Sequence, residues 1–326
     1  MIISWNLCAL SVNNKHMKIS GFTFLKNAHK LYYPIVESIN SILEIVDEFV
    51  VALGEGDEND ISVEILKCIN SPKIKIIHTK WDLEKYPGGT EYAHQTDLAK
   101  QACKGDWLFY LQGDEVVHED DLISIQSACQ KYYTDQRIEG FVFNYLHFWG
   151  DYEHYFSDHC WYKKEIRIIR NLPDIHAWKD AQSFRFIPDF AGNDYNRKKN
   201  TRKLNCVALD AKIFHYGWVR PPEVMKNKND TVMKNYSHTF WEDFAEYFDY
   251  GRMDYCKVFQ KMHPKVMSKR IEDLNWKDKL RYDGPVAINR SKMKHERPKY
   301  RILAWVEENL LGGYVIGGFK NYRLLK

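Results

Sequence analysis

The sequence predicts an α/β fold, a Rossmann-like mixed sheet flanked by helices, followed by a mainly helical C-terminal extension. Three observations predict it. From Lys18 onward short apolar runs alternate with longer amphipathic ones, the rhythm of strands crossed over by helices. Runs such as Glu48 to Leu53 (EFVVAL) are apolar throughout, as strands covered on both faces are. From about Met225 onward the chain reads as helix and loop.

The elements follow in order. Ile19 to Leu25 is the first strand, and Asn27 to Ile45 carries apolar residues at helical spacing, with Pro34 near a helix start or at a break. Glu48 to Leu53 is the second strand, Asp60 to Ile69 a helix opened by an acidic cap, and Lys73 to His78 (KIKIIH) the third strand. A Pro-Gly-Gly loop, Pro87 to Gly89, precedes a helix from about Glu91 to Cys103, and Gly105 ends it before the strand Trp107 to Leu111. Beyond Gly140 the texture turns aromatic and His-rich, with strand-like pieces at Phe141 to Leu146 and Glu165 to Ile169 and an exposed basic loop at Arg197 to Lys203. No internal repeat or low-complexity tract interrupts this order. It divides the chain into an N-terminal extension (1–16), an α/β domain (17–225) and the helical extension (226–326).

Composition sets limits on function. Among 326 residues, 47 Lys and Arg face 44 Asp and Glu, a mixed surface without the concentrated basic field of a nucleic-acid binder. Nucleic acid is therefore not an expected partner. The seven cysteines are scattered and form no Cys-x-x-Cys pair, which points to a reducing compartment and leaves no zinc motif. No run approaches the roughly 18 apolar residues that span a bilayer, and Met1 to Leu10 is too short and uncharged for a signal peptide. A cytoplasmic protein is the expectation. Aromatic residues make up 15% of the chain; their flat faces suit sugar rings and fill cores equally well.

The chemistry-bearing string is Gln112-Gly113-Asp114-Glu115, which the strand Trp107 to Leu111 runs straight into. Ligands of open α/β sheets gather beyond the carboxyl ends of strands, and a carboxylate there is a hard-oxygen ligand for Mg²⁺ or Mn²⁺. As residues alone, Gly-Asp-Glu is equally a polar turn closing a strand. Three further segments stand out: Gly54-Glu55-Gly56-Asp57 after the second strand, His94 to Asp97 in the helix before the motif strand, and His215-Tyr216-Gly217-Trp218-Val219-Arg220 followed by Lys226 and Lys228.

In the order of these parts the chain, as far as about residue 225, resembles family-two glycosyltransferases with a GT-A fold. KISGFTFLKNA, VDEFVVALGEGDEND and GDWLFYLQGDEVVHEDDL carry the likeness. The family's acidic motif is Asp-x-Asp; here the first Asp is replaced by Gln112. The resemblance implies a nucleotide-diphosphate sugar as donor, a carbohydrate or glycolipid as acceptor, inverting transfer, and Mn²⁺ or Mg²⁺ bound by Asp114 with His215. It implies nucleotide contacts from Glu55, Asp57, Asp97, Asp114, Arg220 and Lys226. Each has a bland alternative: a solvated acidic loop for Glu55 and Asp57, a surface helix position for Asp97, a core histidine and solvated cations for the rest. Asp180, in IHAWKDAQSF, lies where inverting members present their catalytic base, with Asp174 behind it. The C-terminal string Gly317 to Tyr322 is similar to tails of bacterial members that build cell-surface polysaccharide, and its basic, amphipathic character permits peripheral contact with the inner face of a membrane. A sugar nucleotidyltransferase and a catalytically degenerate nucleotide-sugar-binding protein are the alternatives.

Overall fold

Strands β1 (Ile19–Leu25), β2 (Glu48–Gly54), β3 (Ile74–Thr79) and β4 (Trp107–Tyr110) build the parallel half of a mixed sheet in the computed structural model, which describes residues 16–236, 247–283 and 291–325. Met1 to Leu10 and nearly all of the expected 1–16 extension lie outside the described residues. Between these strands run α1 (Ile35–Asn40), α2 (Ser62–Cys68) and α3 (Thr90–Ala102). β1 pairs parallel with both β2 and β4, and β2 with β3. β4 shows why the run is apolar throughout: Trp107 and Phe109 enter the core on one face, Leu108 and Tyr110 the core on the other, and all four are fully buried. Successive side chains point to opposite faces, so a strand with helices on both sides has no polar face.

The remaining elements are β5 (Glu115–Val117), α4 (Leu122–Lys131), β6 (Gly140–Trp149), β7 (His154–Phe156), β8 (Lys164–Arg170), β9 (Ile175–Trp178), β10 (Ser183–Phe186), β11 (Leu204–Trp218), α5 (Pro222–Tyr236), β12 (Lys257–Val258), α6 (Ser268–Glu272), α7 (Pro298–Asn309) and β13 (Tyr322–Leu324). The main sheet runs β12-β7-β6-β8-β4-β1-β2-β3, with β8 antiparallel to both β4 and β6. β11 lies parallel to β6, antiparallel to β5 and parallel to β13. β9 and β10 form a separate hairpin against α3.

The expected mixed α/β class is the one observed. Two local features add detail to this. The stretch Asn27 to Ile45 is broken: a 3-10 turn at Ala28–Leu31 ends at Tyr32, whose φ is 57°, and α1 starts only after Pro34. Proline lacks an N–H and disfavours a helical residue before it, which separates the two pieces. The segment after residue 225 is not helix alone, because β12 and β13 add strands to the sheet at two places.

Candidate active site

A cavity of about 710 Å³ opens where β1 and β4 end, within the usual size range of small-molecule sites. Its lining comes from the end of β1 (Phe24 to Asn27), the turn after β4 (Gln112 to Asp114), the β9–β10 turn (Asp180 and Gln182), β11 (His215 and Trp218) and α5 (Lys228, Asn235 and Tyr236). Of the residues singled out in the sequence, it brings together Asp114, His215, Asp180 and Asp57.

Strand pairing places the first two. As β5 begins its antiparallel pairing with β11, the Asp114 carbonyl accepts the Tyr216 N–H at 2.8 Å and Glu115 stands opposite His215. His215 Nε2 comes to 3.8 Å from Asp114 Oδ1. Glu115 turns the other way, as its neighbour on a strand must. There it accepts two hydrogen bonds from Arg167 at 2.7 Å and one from the Tyr145 hydroxyl at 2.9 Å, fully buried. Removing one member of such a buried pair leaves an uncompensated charge, so Glu115 belongs to the scaffold beneath the site.

The hydrogen-bond network assigns the His215 tautomer. His147 is fully buried, and burial, helped by the neighbouring His215, holds its pKa well below the ordinary histidine value. A neutral imidazole has one N–H. His147 Nε2 lies 2.8 Å from the Tyr162 carbonyl, which requires that proton, so its Nδ1 is an acceptor. That Nδ1 is 3.1 Å from His215 Nδ1, which must donate. Burial lowers the His215 pKa too, with Asp114 opposing. His215 therefore turns an unprotonated Nε2 toward the Asp114 carboxylate. A histidine whose other nitrogen donates to a fixed partner is the usual arrangement of a metal ligand.

Lys228 supplies a positive charge beside Asp114. Its Nζ lies 3.4 Å from Asp114 Oδ2 and donates to the Gly217 carbonyl at 2.7 Å. Burial, with Arg220 nearby, pushes the Lys228 pKa down to about 7 against the pull of Asp114. Burial acts to raise the Asp114 pKa, but the charges of Lys228 and Arg220 outweigh it and hold the carboxylate below its ordinary value. Gly217 keeps the space open. A Cβ there would sit 2.5 Å from His215 Nε2 and 2.8 Å from Asp114 Oδ2. One carboxylate, one unprotonated imidazole and a side-chain-free space between them fit a divalent cation that takes its other ligands from phosphate and water.

A second group of possible ligands, Asp151, Glu153 and His154, lies off this cavity. Asp151 already accepts from the backbone N–H groups of Glu153 and His154 at 2.9 and 2.8 Å and from the Tyr282 hydroxyl at 2.9 Å, while Glu153 pairs with Lys277 at 2.7 Å. Its acceptors serve the β6–β7 turn.

Asp180 reaches the cavity from the tip of the β9–β10 hairpin. It is flanked by Lys179 at φ 59° and Ala181 at φ 61°, a left-handed backbone that costs a non-glycine residue about 1 kcal/mol or more and is typical of functional turns. The Tyr236 hydroxyl donates to Asp180 Oδ2 at 2.8 Å. Gln112, in the place of the missing first Asp, donates to the Ala181 carbonyl at 3.4 Å and so links the turn after β4 to this hairpin.

The other expected residues vary in placement. Asp57 lines the cavity but is mostly exposed and paired with Lys30 at 2.7 Å. Glu55 is solvent-facing, 3.8 Å from Lys80, and outside the lining. Asp97 is buried and ties α3 to β9, accepting from His176 Nδ1 at 2.6 Å and the Ala177 N–H at 2.8 Å. Lys226 is outside the lining, whereas Lys228 is in it. Arg220 is fully buried behind Tyr33, donates to the Leu31 carbonyl at 2.7 Å, and has Nε and Nη2 without a hydrogen-bond partner among the described residues. Sequence reasoning gave no role to His147, Gly217 or Tyr236. The α5 signal was present, since Asn227, Thr231 and Asn235 repeat every four residues toward the cavity, but a polar stripe also describes a solvated face.

No protein-family model and no curated protein matches the chain. Among solved structures it is similar to S. aureus TarS 1-349 in complex with UDP, at 15% identity over 71% of this chain and 68% of that chain with a TM-score of 0.36. It is also similar to glucosyl-3-phosphoglycerate synthase from Mycobacterium tuberculosis in complex with Mn²⁺, UDP and phosphoglyceric acid, at 16% identity over 40% of this chain and 44% of that chain with a TM-score of 0.29. The chain thus spans less than half of the synthase. What the cavity can do chemically is decided by its own residues.

Proposed function

We propose that the protein is a GT-A type, family-two-like glycosyltransferase that moves a sugar from a nucleotide-diphosphate sugar to a carbohydrate or glycolipid acceptor with inversion. The observation that carries this reading is the Asp114–His215 pair, open at Gly217, in one cavity with Asp180. Asp114 and His215 would hold Mn²⁺ or Mg²⁺, which as a Lewis acid neutralises charge on a departing diphosphate. Asp180 takes the proton of the acceptor hydroxyl. The bond from Tyr236 occupies one of its oxygens and leaves the other for the acceptor. The rings of Phe24, Trp81 and Tyr92, with Phe24 and Tyr92 stacked at 5.6 Å, offer flat faces to a base or sugar. Asp57 is the acidic residue within reach of the donor end, and Arg220 acts from behind Tyr33.

The donor and acceptor machinery is assigned to residues 17–225, completed by the part of α5 that continues beyond residue 225. The described cysteines are all free, in keeping with a cytoplasmic location. No helix among the described residues is long and apolar enough to cross a membrane, so the proposed contact with its inner face is peripheral.

One observation favours a second reading. Lys228 already places a cation on Asp114, as a nucleotide-sugar-binding protein that has lost turnover would allow. A thermal-shift series with UDP, GDP, ADP, CDP and dTDP, each with and without Mn²⁺, tests both, because a ligand that binds only the native state raises the melting temperature by mass action. A Mn²⁺-dependent rise with one diphosphate and hydrolysis or transfer of its sugar support the enzyme. A rise without any turnover selects the binding protein, and a flat response to every nucleotide overturns both.

A further inference from the structure

Fifteen large apolar side chains are exposed among the described residues, and nine of them fall between Ile302 and Leu325. On α7, Pro298, Arg301, Ile302 and Trp305 share one face at helical spacing and line a shallow groove. Ile302 and Trp305 are 65% and 58% exposed. The chain then continues through Leu310, Tyr314, Ile316 and Phe319, all exposed. A concentration of this kind marks an interaction surface, unlike scattered single residues.

The charges of the same segment are sorted. Arg297, Lys299 and Arg301 on and before α7, and Lys320 and Arg323 near the end, are exposed. The carboxylates are not free to offset them: Glu296 is buried and accepts the Met293 N–H, Glu307 is buried against His159 at 2.7 Å, and Glu308 is paired with Lys257. An apolar surface that includes a tryptophan and is rimmed by cations matches the interface of an anionic bilayer. A symmetric contact with a second copy would set these cations against one another.

The segment also reaches the cavity's rim. Phe319 stacks on Trp178 with ring centres 6.4 Å apart, Lys179 Nζ lies 5.7 Å from the Phe319 ring, and Asn321 bonds Arg185 and the Phe184 carbonyl at 2.9 Å. These are hairpin residues on either side of Asp180.

We propose that residues 297–325 form a docking surface for an anionic lipid bilayer, and that docking sets the Asp180 hairpin beside the membrane, where a lipid-borne acceptor is presented. This deepens the peripheral contact and glycolipid acceptor named above, but its test does not depend on nucleotide chemistry. The full chain is mixed with sedimentable vesicles of phosphatidylcholine alone, or with 30% phosphatidylglycerol. Binding is expected only to the anionic vesicles, weakened by salt, with a blue shift of tryptophan emission that Trp305→Ala reduces. Lys299→Glu, Lys320→Glu and Ile302→Asp are exposed substitutions; each charge change should weaken binding roughly fivefold or more, with the melting temperature and any nucleotide-induced shift unchanged. Equal binding to both vesicle types, no binding at low salt, or vesicle binding that survives all three substitutions overturns the proposal. A concentration-dependent dimer abolished by Ile302→Asp, with no vesicle binding, assigns the face to a second copy instead. Loss of the nucleotide shift with vesicle binding intact would leave this proposal standing and overturn the catalytic one.

Discussion

Asp114→Asn separates the functional account of the site from a structural one, because the two predict opposite magnitudes. The substitution is nearly isosteric and removes the counter-charge of Lys228, 3.4 Å away. For a buried pair that cannot adjust, removing one partner costs about 3–5 kcal/mol. Here the lysine can adjust. Burial already pushes its pKa down to about 7, so it can give up its proton near neutral pH at small cost. With the loss of one long hydrogen bond, stability should fall by about 1 kcal/mol. The proposed metal, however, would lose its charged ligand, and the rate should drop on the order of a hundredfold or more, about 3 kcal/mol of transition-state stabilisation. Denaturant unfolding gives the first number; steady-state donor consumption over a Mn²⁺ titration gives the second. Wild-type turnover in chelator, or an Asp114→Asn enzyme that melts far lower yet binds Mn²⁺ and nucleotide normally, would refute the reasoning and return Asp114 to the role of a structural ion-pair partner.

The other predictions concern neighbouring groups. Gly217→Ala should keep the fold and abolish metal-dependent nucleotide binding, since its Cβ would fall 2.5 Å from His215 Nε2; calorimetry with and without Mn²⁺ decides, and normal binding would mean the cation sits elsewhere. His215→Ala should weaken Mn²⁺-dependent binding at least tenfold or so, and Lys226→Ala far less, in the same titration; normal donor binding with a much lower melting point would make His215 a core residue. Asp180→Asn should lower turnover about a hundredfold or more with donor affinity nearly unchanged, and near-native turnover would move the base to another residue, with Asp174 the next to test. Glu165 is a stability prediction: burial, with Arg167 opposing, pushes its pKa up to about 7 from the ordinary 4.5. The folded state then holds a proton that the unfolded chain releases between those values, so stability is full below about pH 4.5 and falls as pH rises through 7. Glu165→Gln should gain about 3 kcal/mol at pH 8 and little at pH 5 in denaturant titrations; an equal effect at both would show that the carboxyl stays ionised.

Much of the parallel half was legible because local pattern and burial agree there. β1 spans Ile19–Leu25 as its apolar run does, and β2, β3, α3 and β4 lie within a residue or two of their expected limits. The place of Asp114 at the cavity was legible for the same reason: it follows an apolar strand, and cavities in such sheets open at strand ends. What escaped was set by pairings between distant parts. Asp97 reads as a surface helix residue, yet β9, some eighty positions later, covers it. Choosing Lys228 over Lys226 needs the angle at which α5 crosses the cavity, which no spacing rule supplies. His147 and His215 are 68 residues apart, and only the parallel register of β6 and β11 joins them. β13 was missed because three residues beside Gly-rich chain carry too little pattern to mark a strand.

The cavity draws its lining from Phe24 through Tyr236, and β11 is the strand that pairs with β6 and brings β5 and β13 into the sheet. On the ribosome, therefore, Asp114 is made about a hundred residues before its partner His215, and β5, which follows it directly, waits for β11 to pair with. Pairings of such long sequence separation form slowly and leave sheet edges open to aggregation in the meantime. The proposed ligand binding consequently requires the chain through α5. Fragments that stop before β11 can contain the whole acidic motif and still have no pocket, and an excess of nucleotide in a refolding mixture should raise the yield of the final step without speeding the earlier ones.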